Sequence, residues 1–148
     1  MSTKLHLACD GAGRPLAVVL TPGQWGDNPQ LAVLLDTISV RRADGRGRPR
    51  KRPAHLIADK AYSHPSTRRL LRQRGIAHTI PERRDQQARR AHRPGRKPAF
   101  DRQIYRRRNV VERCFNRLKQ WRALATRFDK RAANYRAFVV IAALMMWL

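Results

Sequence analysis

Acidic residues are scarce in this chain. Ten Asp and Glu stand against thirty-three Lys and Arg, a formal net charge of +23 over 148 residues. Self-repulsion of that size requires a polyanionic partner, and nucleic acid is the natural one. Cysteine is nearly absent. Cys9 and Cys114 form no CxxC pair and no His/Cys cluster, which argues against a structural disulfide or zinc site and fits a reducing cytoplasm. His6, His55, His64, His78 and His92 share no metal-ligand spacing. Long apolar runs are missing as well. Ala137–Leu148 is wholly apolar but too short to span a bilayer, so it reads as a buried terminal helix. The N-terminus, MSTKLHLACD, lacks a signal-peptide pattern. An anionic membrane surface would want the basic residues on one amphipathic helix, whereas here they are spread over loops and helices alike. No internal repeat is present, and the length suits one domain with one core.

Along the chain, Leu5, Leu7 and Cys9 alternate with Lys4, His6 and Ala8, the pattern of a half-buried strand. Asp10-Gly11-Ala12-Gly13 has hairpin-turn chemistry, and Leu16–Leu20 is the returning strand. Asp27 or Asn28 can cap a helix with Pro29 in its first turn, running to about Ile38 and burying Leu31, Leu34, Leu35 and Ile38. Ala54–Ala58 reads as a short strand ending at Asp59. Ser63 or His64 caps a helix opened by Pro65 and ended at Gly75, with Arg68, Arg69, Arg72 and Arg74 making most of its surface basic. Ile76–Ile80 is a further strand. Two basic stretches, about 41–53 and 81–98, read as a loop and a linker. The second is too polar to pack and is expected to stay mobile until bound. In the first, Arg46, Arg48, Arg50 and Lys51 are candidate nucleic-acid contacts, and Arg46-Gly47-Arg48-Pro49 is similar to the core of an AT-hook. A solvated loop that touches phosphates without reading sequence explains the same residues. Trp25, Trp121 and Trp147 read as core residues rather than platforms for bases.

A helix is expected from about Phe100, broken at Leu124–Phe128, with a last helix from about Ala132. At about 100° per residue, Tyr105, Arg108, Glu112 and Lys119 would fall within roughly 60° of one another. One carboxylate and three phosphate-capable groups would then share a stripe at the edge of the buried face. A carboxylate so placed can hold a metal while Arg and Tyr hold phosphate oxygens; equally, the stripe can do no more than balance charge on an amphipathic helix.

The spacing Tyr105-x2-Arg108-x3-Glu112-x6-Lys119 resembles the C-terminal signature of DDE insertion-sequence transposases. Ala58-Asp59-Lys60-Ala61-Tyr62 resembles that family's second-acid motif, and Lys4–Gly23 looks like the hairpin before its first core helix. The resemblance implies an α/β fold, an RNase H-like mixed sheet flanked by helices that lacks its first strand. Residues 1–148 would form a single unit, the C-terminal part of the catalytic domain. It implies that Asp59 and Glu112 are catalytic and hold Mg2+, two ions in the complete site. It implies phosphate contacts from Lys60, Tyr105, Arg108 and Lys119. DNA would be the substrate, and the upstream half of the transposase and a second copy would be partners. The family's first acid would lie upstream of the hairpin. A competing reading takes Asp10 as that acid, although Asp10 also reads as the turn residue. For Asp59 the plain alternative is a strand-end Asp that caps the next turn. Without its first strand, the hairpin would either pair directly with Ala54–Ala58 or leave a gap in the sheet. A non-catalytic DNA- or RNA-binding module, or a transposase remnant that keeps the fold, is the other functional reading.

Overall fold

The computed structural model describes residues 2–92, 95–126 and 131–148. It opens with an antiparallel hairpin, β1 (Thr3–Cys9) and β2 (Pro15–Pro22), paired from Thr3 opposite Pro22 to Cys9 opposite Pro15. The Asp10 carboxylate closes the turn by accepting from the Ala12 and Arg14 amides, each at 2.9 Å. Gly13 supplies the positive φ that the turn needs, +84°. The alternation in β1 predicts one face in water, and that is not what forms. Leu5, Leu7 and Cys9 pack into one apolar cluster, while Ala8 packs into the other. His6 is buried, its Nε2 lying 2.8 Å from Thr21 Oγ1. Helices therefore cover both sides of the hairpin, and a polar residue on the second face survives there because it has a hydrogen-bond partner.

On one side lies α1 (Asp27–Thr37), which buries Leu31, Leu34 and Leu35 with Ile38 at its end. Its N-cap is Gly26, with no side-chain bond, so Asp27 and Asn28 do not cap it. Asp27 instead pairs with Lys4 at 3.1 Å, and Asn28 accepts from Thr67 Oγ1 at 2.7 Å. The basic loop that follows is closed by an antiparallel bridge between Val40 and Arg50, with left-handed glycines at Gly45 and Gly47. Then come β3 (His55–Ile57), a short 3-10 turn (Lys60–Tyr62), α2 (Pro65–Gln73) and β4 (Ala77–Thr79). β3 and β4 run parallel, with α2 as the crossover. His64 caps α2, accepting from the Ser66 amide, and Gly75 at φ +62° ends it. Arg68 is not part of a basic surface. It is buried, and its guanidinium donates to the Ile80 carbonyl at 2.8 Å. Among the described residues the hairpin and the parallel pair stay separate, two sheets of two strands each, and thus a gap lies between them.

Further expectations need correction. The stretch 81–98 is not structureless, because α3 (Arg84–Ala91) lies within it. Polar contacts rather than burial hold that helix. Glu82 pairs with Arg90, Asp85 faces Arg89 at 3.5 Å, and Gln86 donates to the Ser63 carbonyl at 3.2 Å. Arg93 and Pro94 of the stretch lie outside the described residues. The helix expected from Phe100 is divided into α4 (Arg102–Arg106) and α5 (Asn109–Lys119), and α6 (Arg122–Thr126) follows. At the α4–α5 joint the bonds tighten to i→i−3, from the Arg107, Arg108, Val110 and Val111 amides. The second break comes at Gln120–Trp121, earlier than Leu124; Arg127 and Phe128 are outside the described residues. The terminal helix α7 (Ala132–Met145) is only partly buried. Val139 and Ala142 are in the core, whereas Phe138, Ile141, Leu144 and Met145 are exposed. Trp25, Trp121 and Trp147 are also exposed at 40% or more, so none is a core residue. Trp147 lies under the Arg14 guanidinium at 4.5 Å and donates to the Pro15 carbonyl at 2.8 Å, which ties α7 to the hairpin.

Candidate active site

Asp59 comes two residues after the end of β3 and caps the 3-10 turn, accepting from the Ala61 amide at 3.3 Å. That capping role is the plain reading of a strand-end Asp, and it fixes where the carboxylate points. Glu112 stands in the first turn of α5. Arg108, at the α4–α5 joint, reaches both acids. Its Nη2 lies 2.5 Å from Glu112 Oε1, and its Nη1 lies 3.8 Å from Asp59 Oδ2. The Tyr105 ring flanks the same guanidinium at 5.8 Å and touches Phe100 at 5.2 Å between centroids. Burial acts to lower the Arg108 pKa, but Tyr105, Glu112 and Asp59 outweigh it and hold the group above its ordinary value. So the structure brings Tyr105, Arg108, Glu112 and Asp59 together. Lys60 and Lys119 are exposed and take no part in the Arg108 ion pairs. The shared stripe on one helix is not realised as drawn, because the tightened joint turns Tyr105 relative to α5. Arg46, Arg48, Arg50 and Lys51 are all exposed in the basic loop.

Asp10 is committed to its turn. Burial works against its carboxylate, but hydrogen bonds from Arg14 and Ala12 prevail and lower its pKa. Among the described residues, no three His, Cys, Asp or Glu side chains gather as a metal-binding group. Two neighbours escaped the sequence reading. Tyr62, although part of the Asp59-Lys60-Ala61-Tyr62 motif, had no role. Burial, then Asp27 and Asp59, push its hydroxyl up to about 12, so it remains a protonated donor beside the acids. Cys9 and Cys114 meet between β1 and α5. The hydrogen bond to Cys114, then burial, push the Cys9 thiol upward. Nothing in their distant positions along the chain signalled that contact.

The sequence model of the transposase DDE domain matches residues 1–147. The chain belongs to that family. Two relatives are assigned as transposases. One, of insertion sequence element IS6501 from Brucella ovis, is 33% identical over 152 residues that cover 100% of this chain and 99% of the relative. The other, of element IS402 from Burkholderia cepacia, is 36% identical over 137 residues, 93% of this chain but 58% of the relative. No solved structure matches the chain. Its architecture is mixed α/β with small sheets, and among the described residues no helix is long and apolar enough to cross a membrane.

The pair Asp59–Glu112 provides hard oxygen donors, which suit magnesium, an ion that takes one or two carboxylates and fills the rest with water and substrate phosphate. Here both carboxylates are turned to the Arg108 guanidinium. A second ion needs another acid than the described residues bring there.

Proposed function

We propose that this transposase-family chain is the C-terminal part of an RNase H-like catalytic domain, residues 1–148 as one unit. In the complete enzyme it takes part in metal-dependent cleavage and transfer of DNA strands at the ends of an insertion sequence. The observation that carries the reading is that Asp59 and Glu112, distant in sequence and on different elements, share the Arg108 guanidinium. Two acids held around one cation mark a place where cationic charge is favoured, and magnesium bound there would neutralise the scissile phosphate and the leaving oxygen. Arg108 and Tyr105 would position phosphate oxygens beside it, and Lys60 and Lys119 would hold the strand on either side. Arg46, Arg48, Arg50 and Lys51 would grip flanking phosphates without reading bases. The partners in this reading are DNA, the upstream half of the transposase and a second copy of the chain, and the setting is the cytoplasm.

The test is cleavage of a supercoiled plasmid that carries the element ends, in magnesium. The chain alone should bind the plasmid without cutting it. Co-expression with the polypeptide encoded immediately upstream should restore cutting, and Asp59→Asn or Glu112→Gln should lower the rate by about a hundred-fold or more. Undiminished cutting by either variant would remove the pair from the mechanism. A second reading, a non-catalytic nucleic-acid-binding module, draws on the fact that Arg108 itself supplies the cation between the two acids. Binding without cutting, even with the upstream polypeptide present, would establish it.

A further inference from the structure

The chain has two cysteines, and the fold sets one against the other. In β1 the two-residue alternation puts Leu5, Leu7 and Cys9 on the face that meets α5. In α5, Val111, Cys114, Phe115 and Leu118 follow at helical spacing and form the stripe turned to that strand. The last residue of β1 therefore meets the middle of the buried stripe of α5, and the two sulfurs are in hydrogen-bond contact. Both thiols are free. Cys114 is buried, 1% exposed, whereas Cys9 is partly exposed and opens the pair to solvent. Both residues sit on regular elements, and the Asp10 turn that follows Cys9 is closed by its own hydrogen bonds, so the fold holds the contact. An alanine or a valine would fill either place. Two sulfurs in contact add a reaction that packing alone does not need.

We propose that Cys9 and Cys114 are a reversible redox pair, oxidised by a peroxide to a disulfide within the chain and reduced again by a dithiol. Hydrogen peroxide is small enough to enter beside Cys9. One sulfur gives up its proton and attacks the O–O bond; an S–O bond forms, and hydroxide leaves and takes up that proton as water. The other sulfur then displaces the hydroxyl, which leaves with the second proton as another water, and the S–S bond closes. Two electrons pass from the two sulfurs to the peroxide, and no other reactant is needed. Contact makes the second step fast, because each sulfur sees the other at a concentration far above that of any external thiol. The chain has no third cysteine, so the bond has one possible pairing within it. Exchange with a dithiol reverses the change: the dithiol becomes a disulfide as both protein thiols re-form. In a reducing setting such a bond is transient rather than structural. While it lasts it closes a loop of about a hundred residues and pins α5, the helix that carries Glu112, to the hairpin. This inference stands on the contact of the two sulfurs and is independent of the catalytic reading.

The test uses the full 148-residue chain, reduced, freed of reductant and exposed to millimolar hydrogen peroxide. Both thiols should disappear together, and a digest made without reductant should yield the two peptides joined through Cys9 and Cys114. The oxidised chain should remain a monomer. Its urea midpoint should rise by about 1 M, because the closed loop restricts the unfolded chain. Amides of α5 should exchange about ten-fold more slowly. Dithiothreitol should restore both thiols and return the midpoint to its first value. Cys9→Ala, which spares the buried Cys114, should show neither the joined peptides nor the rise on the same treatment. That variant separates the disulfide from methionine oxidation, which peroxide also brings about. Thiols that survive, sulfinic acid at Cys9 with Cys114 still free, disulfides formed between chains, or a lower midpoint on oxidation would each overturn the proposal.

Discussion

Arg108 shows how one side chain can hold two roles in tension. It neutralises Asp59 and Glu112, and in the proposed mechanism it would compete with a divalent ion for the same two carboxylates. Both acids are about half exposed, with 47% and 57% of their side-chain surface in solvent, so the ion pairs themselves contribute little stability, about 1 kcal/mol or less. Arg108→Ala should therefore leave the urea midpoint almost unchanged while raising the affinity for Mn2+ several-fold, because a competing cation is gone. Titration calorimetry with Mn2+ checks this; an unchanged or weaker affinity would show that Arg108 does not compete at the acids. Two histidines give the chain a pH dependence. Burial lowers the pKa of His6 below 6.5, with Lys4 adding to the effect and Asp27 opposing it. Burial also lowers His78, reinforced by Arg68, Arg72 and His55 and opposed by the Ile76 carbonyl. Because the folded values lie below the unfolded one, the unfolded chain takes up protons first as pH falls. Stability is thus complete above about 6.5 and declines as the pH drops below it. Urea midpoints recorded from about pH 8 down to about pH 5 should fall, and His6→Gln should flatten the slope.

At the scale of elements, ends and joints are set by local chemistry. Gly75 ends α2 in the left-handed region, φ +62°, and a Cβ there would lie 3.0 Å from Arg52 Nη1. That atom is the far end of a flexible side chain, so it can move away and the backbone strain remains. Gly75→Ala should cost about 1–2 kcal/mol in urea denaturation, and a neutral result would mean that the turn relaxes out of the left-handed region. Such stops are readable in sequence, and Pro65 with Gly75 framed α2 correctly to within a residue or two. The joint between α4 and α5 was not readable. No glycine or proline marks it, since Arg106-Arg107-Arg108 has ordinary helix formers. α3 escaped for the opposite reason: it has no apolar stripe to reveal it, and its contact to Ser63 comes from a segment that only the fold brings near.

For the whole molecule, the net charge of +23 dominates behaviour in solution. The exposed basic residues are dispersed over the 41–53 loop, α3 and α5, and among the described residues no helix gathers base-reading groups. Binding to duplex DNA should therefore show little sequence preference, and log affinity should fall steeply and linearly with log salt as counterions are released. Titration of two unrelated duplexes at several salt concentrations tests this; a flat salt response or a strong preference for one duplex would contradict it.

By itself the sequence determined what depends on neighbours along the chain. It set the Asp10 turn, the start and stop of α2, the apolar stripe of α1 and the cationic excess, because capping, positive φ and charge act within a few residues. It also carried the two motifs that led to the family. Only the tertiary structure decided the rest. It covered the second face of β1 by packing α1 there, and it left the far side of α7 in water because the core has room for one stripe of that helix. It placed Cys9 against Cys114. It set Asp59, Arg108 and Glu112 side by side, since the joint that aims Arg108 and the strand that ends at Asp59 are more than forty residues apart in the chain. Burial and ion pairing are properties of what lies opposite, and no local pattern names the residue on the other side.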